Sequence, residues 1–250
     1  GCGYPYRPRD PDDLRRQLAY YYTLVSVIDA EIGRLVDYLK ANGEYENTII
    51  VYHADHGDFA GQHGLMLKNL GTYESIHRIP WLMRYPGCPR GKVCDGMVES
   101  VDLYPSLCQL AGLNTPEQLD GVSLVAVVND ASPGKTQVCT EWDFPTQVMR
   151  TVLSIRTREQ RLVFYPDRPD DGELYDHRAD PGEMHNRYCK PDCATDRLAL
   201  TQGLLQHVSH FHRNVDFATQ SRPTGPSAQI HKQGKRWSNL SQSVAKMAEK

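Results

Sequence analysis

The sequence has no apolar run of the about eighteen residues that a bilayer-spanning helix needs. Its longest candidate stretch is broken by Asp29 and Glu31, so no membrane span is expected. Nor does one sign of charge dominate. The 28 Lys and Arg face 31 Asp and Glu for a net charge of −3, which argues against a nucleic-acid partner, because such binding rests on clustered basic residues. Residues 1 to 20 lack the charged-then-apolar pattern of a secretory leader. The seven cysteines, at 2, 88, 94, 108, 139, 189 and 193, are odd in number and irregularly spaced, which excludes a dense disulfide scaffold and leaves the compartment open. What the chain does have is 40% hydrophobic residues over 250 positions. That suffices for one large domain, or one core with a small second lobe, to fold as a soluble globular protein.

Asp10 is placed as an N-cap, Pro11 suits the first helical turn and Asn42-Gly43 reads as a stop. Between them Leu14, Leu18, Tyr21, Val25, Ile28, Ile32, Leu35 and Leu39 alternate steps of three and four. Tyr20, Tyr22, Leu24, Val27 and Val36 widen the stripe beyond a coiled-coil seam, so the expectation is a helix whose apolar face covers a sheet. Ile49-Ile50-Val51-Tyr52-His53 predicts a strand buried on both faces, as in a parallel sheet. A second strand is expected from Ile79 to Tyr85, and a helix from Leu103 to Ala111 between Asp102 and Gly112. This alternation predicts an α/β fold, part of a mixed or parallel sheet flanked by helices. Farther on, Gln137 to Glu141, Thr151 to Arg156, Arg161 to Tyr165 and Glu173 to Asp176 predict short antiparallel strands. A helix from Ala194 to Phe211 would lie on them. The expected organisation is an α/β part over 1–130, a small α+β subdomain with its antiparallel sheet and one helix over 131–221, and a basic tail over 222–250. That tail carries six Lys or Arg against one Glu and reads as solvated, with an anionic partner as the alternative.

The first strand ends in Ala54-Asp55-His56-Gly57-Asp58. In open α/β sheets ligands bind beyond strand carboxyl ends, and a carboxylate beside an imidazole offers two metal-ligand types. The same tripeptide also occurs in turns, where Asp caps and His is surface. Downstream come Gly61-Gln62-His63-Gly64-Leu65-Met66-Leu67-Lys68 and Tyr73-Glu74-Ser75-Ile76-His77-Arg78-Ile79-Pro80. In order and spacing these segments resemble the C-terminal half of a type I sulfatase, a branch of the alkaline-phosphatase-like superfamily. Tyr21-Tyr22, Asp29 and Gly33, Val101 to Leu107, Leu119 to Leu124, Glu173 to Asp176 and Asp180 to Glu183 extend the likeness over roughly residues 15 to 190.

The resemblance implies that 1–130 is the C-terminal part of a catalytic domain and that Asp55 and His56 are two ligands of a divalent metal, usually Ca²⁺. His56, where many relatives carry Asn, leaves Zn²⁺ or Mn²⁺ open. Lys68, thirteen residues after Asp55, matches a lysine that grips the sulfate group. Such a pairing suits a sulfate ester, since charge grows on its oxygens during cleavage. His63 would either donate to the ester or, the favoured reading, buttress the loop through a backbone carbonyl. Arg78 is expected as a structural charge partner. The substrate implied is a sulfated small molecule or glycan, for which Trp142, Asp143 and Phe144 offer a sugar subsite or simply a loop with one aromatic packed inward.

Sulfatases of this type draw their formylglycine nucleophile from a Cys/Ser-x-Pro-x-Arg segment. The nearest matches here, Cys88-Pro89-Arg90, Cys189-Lys190-Pro191-Asp192-Cys193 and Ser221-Arg222-Pro223-Thr224-Gly225, all miss the spacing or the final arginine. The resemblance therefore implies that formylglycine and the first pair of metal-binding aspartates belong to a preceding half. This chain is expected to be a piece, inactive alone, and exported only if that half carries a leader, otherwise cytoplasmic. Alternatives are a phosphodiesterase or phosphonate hydrolase of the same superfamily, and a non-catalytic binding module. Cys189 and Cys193 admit a local disulfide, or with His185 a zinc site lacking a fourth ligand.

Overall fold

Asp10 starts the first helix as the sequence predicts. In the computed structural model, which describes residues 7–68, 72–143 and 151–213, its side chain accepts the Asp13 N–H at 2.8 Å. Helix α1 (Pro11–Ala41) then runs to Asn42 and a left-handed Gly43. Cys2, Phe144 and the 222–250 tail lie outside the described residues. The chain divides into two units that interleave along the sequence. One is Gly1–Cys94, Leu103–Thr115 and Ser123–Ser132; the other is Asp95–Asp102, Pro116–Val122 and Pro133–Lys250.

In the first unit β1 (Ile50–His53) pairs antiparallel with β2 (Trp81–Arg84), His53 opposite Trp81 and Ile50 opposite Arg84. The α/β class holds, but the parallel, doubly buried strand does not. A parallel pair needs a crossover of a dozen or more residues, usually a helix, whereas the only α-helix of the described connection is α2 (Glu74–His77). Leu82 stays 60% exposed. Nor does α1 bury its apolar face: Tyr20, Tyr22, Leu24, Val27, Ile28 and Leu35 are exposed. This helix of 31 residues is about 46 Å long, while the two four-residue strands of its unit run only about 13 Å. Its first turns are the anchored part, with Asp13 buried and accepting from Arg16 and Gln17. Leu14 packs so close to Gly61 that a Cβ there would lie 2.8 Å from Cδ1. Helices α3 (Leu103–Leu110) and α4 (Val125–Val128) complete the unit. The Ser106 hydroxyl accepts the Leu124 N–H at 2.9 Å, and left-handed Gly112 ends α3.

The second unit contains the antiparallel sheet expected from sequence, in order β3 (Gln137–Asp143), β4 (Thr151–Thr157), β5 (Gln160–Phe164) and β6 (Gly172–Asp176). Alternation sends Leu153, Ile155, Leu162, Phe164 and Leu174 to one face, where they form a core with Leu200, Leu204 and Val208 of α5 (Ala194–Arg213). Val152 and Val163 face the other way, against Trp142 and Tyr165. Among them, on β5, lies the buried Arg161, whose guanidinium bonds Glu183. His177 Nε2 is 2.7 Å from the same carboxylate oxygen, so buried charge is paired rather than stranded.

A second ion cluster ties three segments of this unit. Asp102, fully buried, accepts the Glu99 and Val122 N–H groups, each at 2.8 Å. Lys135 Nζ reaches both Asp102, at 2.8 Å, and Glu99, whose other oxygen accepts the Cys139 N–H. Desolvation pushes the Lys135 pKa down, but the hydrogen bonds to Asp102 and Glu99 outweigh it and hold the ammonium above its usual 10.5. Because the folded pKa is the raised one, this contribution to stability is complete below pH 10.5 and fades as pH rises through the folded value. Lys135→Met should therefore cost about 3 kcal/mol by leaving two carboxylates uncompensated, read from urea midpoints at neutral pH. The gap between the two proteins should narrow in alkaline solution.

Candidate active site

β1 delivers its carboxyl end beside β2, with the His53 ring edge-on to Trp81 at 4.6 Å. The chain then turns through Asp55-His56-Gly57 and seats that turn on α2. The Gly57 N–H donates to the Ile76 carbonyl at 2.8 Å, and a Cβ on Gly57 would stand 1.9 Å from the Ser75 carbonyl oxygen. Only glycine permits this approach.

Asp55 projects from the turn with its side chain 87% exposed. Its Oδ1 accepts the His56 N–H at 2.9 Å and its Oδ2 lies 3.5 Å from His56 Nε2. His56 Nδ1 sits 2.8 Å from the Gly57 carbonyl. That carbonyl accepts only from a protonated Nδ1, which leaves Nε2 of the neutral ring with its lone pair, the tautomer a metal ligand needs. Two donors each about 2.0–2.4 Å from one ion fit a separation of 3.5 Å. The pair therefore suits a divalent cation. The Asp55 carboxyl is held below its usual 3.8 first by the His56 N–H and then by the His56 charge, against a small desolvation cost, with Lys68 pulling in the same direction. The carboxylate stays ionised into acid.

From Asp58 the chain makes a closed loop that returns at Lys68. The Phe59 N–H donates to the Leu67 carbonyl at 3.0 Å and the Gly61 N–H to the Leu65 carbonyl at 2.8 Å. Asp58 Oδ1 accepts from Ala60 at 2.7 Å and from Leu67 at 3.2 Å. Phe59 and Met66 are buried beneath the loop, while Lys68 is exposed. His63 is held differently from the sequence expectation. Among the described residues no backbone carbonyl grips it; its ring stacks on Tyr73 at 4.0 Å with Phe59 edge-on at 6.4 Å. Its Nε2 is buried without a hydrogen-bond partner among the described residues. Arg78, expected to pair with a charge, is exposed and forms no ion pair among them. Asp55, His56, His63 and Lys68 thus all belong to the first unit. Trp142 belongs to the second and is half-buried against Val152 and Val163. Cys189 and Cys193 are free thiols.

Two family models match: the sulfatase model over residues 3–113, and that of the C-terminal part of N-sulphoglucosamine sulphohydrolase over residues 61–210. The chain belongs to the sulfatase family. The type I, alkaline-phosphatase-like likeness read from Asp55 to Pro80 is therefore the correct one. An N-acetylglucosamine-6-O-sulfatase of Bacteroides thetaiotaomicron is 33% identical over 207 residues, 78% of this chain and 36% of that protein. A protein solved with its substrate D-glucosamine-2-N,6-O-disulfate superposes with a TM-score of 0.68 at 31% identity, over 78% of this chain and 41% of that one. The phosphonate monoester hydrolase of Agrobacterium radiobacter superposes with a TM-score of 0.73 at 26% identity, over 80% and 42%. The chain spans well under half the length of these relatives.

In this sulfatase chain the Gly57 contact has a direct consequence. Gly57→Ala should force the Asp55-His56 turn off α2 and cost about 1–3 kcal/mol. Titration of the protein with divalent metal ions should show weaker binding in the variant. Unchanged affinity and stability would refute the close approach.

Proposed function

We propose that this chain forms part of a sulfuric ester hydrolase. Asp55 and His56 supply two ligands of its divalent metal, and Lys68 binds the sulfate group. The observation that carries the reading is the Asp55–His56 pair, with donor atoms 3.5 Å apart and the imidazole tautomer fixed by the Gly57 carbonyl. A bound cation would supply electrostatic stabilisation to oxygens that gain charge as the S–O bond breaks. The chain's own contribution is to hold Asp55 ionised and to present an ammonium at the exit of the 58–67 loop. An oxygen-rich site filled out by carboxylates from elsewhere in the protein favours Ca²⁺, whereas the imidazole of His56 keeps Zn²⁺ or Mn²⁺ available. Formylglycine is expected outside this sequence, which has no Cys/Ser-x-Pro-x-Arg segment, so this chain alone is expected to be inactive.

Sulfated amino sugars are the substrate class favoured by the relatives, one named for N-acetylglucosamine-6-O-sulfate chemistry and one solved with a sulfated glucosamine. The likeness to a phosphonate monoester hydrolase supports a second reading, since a metal and a lysine serve a phosphonate monoester by the same electrostatics.

The full-length protein, assayed on sulfated glucosamine, aryl sulfate and aryl phosphonate esters, separates these readings. Sulfate turnover exceeding phosphonate turnover is the expected order, and the reverse order would favour the second reading. Asp55→Ala should remove metal, measured by elemental analysis, and abolish turnover. Lys68→Ala should cut turnover with metal still bound. Full activity in either variant would sink the site assignment.

A further inference from the structure

We propose that Asp58 is a positioning residue that fixes Lys68 beside the Asp55–His56 pair. The inference rests on the reading of Lys68 as the sulfate-binding group. Lys68 is exposed and stands at the end of a long, flexible stem, so its ammonium is useful only if its backbone is held in place. The backbone leading to it would not hold itself. Ala60, His63 and Leu67 have φ of 47°, 53° and 61°, left-handed conformations that a side chain with a Cβ adopts only under constraint.

Asp58 supplies that constraint at both ends of the loop. One atom, Oδ1, accepts the N–H of Ala60 at 2.7 Å and the N–H of Leu67 at 3.2 Å, nine residues away. Both donors are left-handed residues, and Leu67 immediately precedes Lys68. Asp58 itself follows Gly57, whose backbone is pinned to Ile76. One carboxylate thus connects the metal-binding turn to the residue that aims the lysine. The bonds need an acceptor oxygen at that place and not a negative charge, which separates positioning from metal ligation.

The test uses the full-length protein with 4-methylumbelliferyl sulfate as the substrate. Asp58→Ala should lower kcat about 10- to 100-fold, the scale of a misplacement near 1 Å, with little change in KM. Asp58→Asn, which keeps an acceptor oxygen, should restore kcat to within about threefold, and Asp58→Glu, which keeps the charge but displaces the oxygen, should fall below Asp58→Asn. In a Lys68→Ala background Asp58→Ala should cause no further loss, since two residues acting as one unit are not additive. Calcium content should match the parent in all Asp58 variants.

Equal losses from Asp58→Ala with and without Lys68 would overturn the positioning role while leaving the function standing. So would a kcat order of Glu above Asn, or calcium lost from Asp58→Asn, either of which would make Asp58 a metal ligand. If Lys68→Ala alone kept full turnover, the sulfate-binding reading would fall and this inference with it. Should Asp58→Ala fail to fold, the order of Asn and Glu decides.

Discussion

The approach of Gly57 to the Ser75 carbonyl is the constraint on which the rest of the site depends. A hydrogen at that Cα lets two backbones touch where any side chain would collide. The contact joins the end of β1 to the start of α2 through the Gly57–Ile76 hydrogen bond. The residues of the proposed site are arranged about this weld. Asp55 and His56 precede it, Asp58 follows it, and Tyr73, which carries the His63 ring, lies at the edge of the helix it touches. An Asp-His pair just beyond so short a strand, four residues long, has few sheet hydrogen bonds to hold it. The glycine contact does what a longer strand would otherwise do.

Different parts of this arrangement were legible in the sequence to different degrees, and the division has a physical cause. Local signals were read correctly. Asp10 and Pro11 start α1, Asn42-Gly43 end it, and the alternation from Gln137 to Asp176 produces the four antiparallel strands. These depend on capping and on the period-two pleat, which neighbouring residues determine between themselves. What escaped was what a segment packs against. The apolar stripe from Leu14 to Leu39 announces a surface to be covered but does not name the cover, and the two short strands of its unit are too small for it. The β-branched run at 49–53 suits a parallel or an antiparallel neighbour equally well. Its partner was decided by the connection to β2, whose length in residues conceals how little helix it contains.

The site divides along the same line. Asp55 and His56 drew notice as a carboxylate and an imidazole at a strand end, and Lys68 through the family resemblance of the segment around it. How they are held could not be read there. His63 takes its place from two aromatic rings rather than from a carbonyl, and its left-handed backbone has no signature in a histidine. Asp58 stood in plain view within Ala54-Asp55-His56-Gly57-Asp58. Its two hydrogen bonds exist only once the loop has closed and brought Leu67 back.

Electrostatics connects the two units by principle rather than by position. In the second unit Asp102 and Glu99 share Lys135, and Arg161 and His177 share Glu183. Each of these three carboxylates has a cation and a backbone donor or a second base against it, as burial demands. Asp55 is the opposite case. It is ionised, held so by a backbone N–H, a neighbouring imidazole and a lysine, yet left almost wholly in solvent with no cation bonded to it in a fork. A carboxylate whose protonation is suppressed but whose oxygens are not consumed is prepared to bind something else. Asp102 and Glu183, exhausted by their partners, hold the fold, whereas the open oxygens of Asp55 are what the proposed metal site would use.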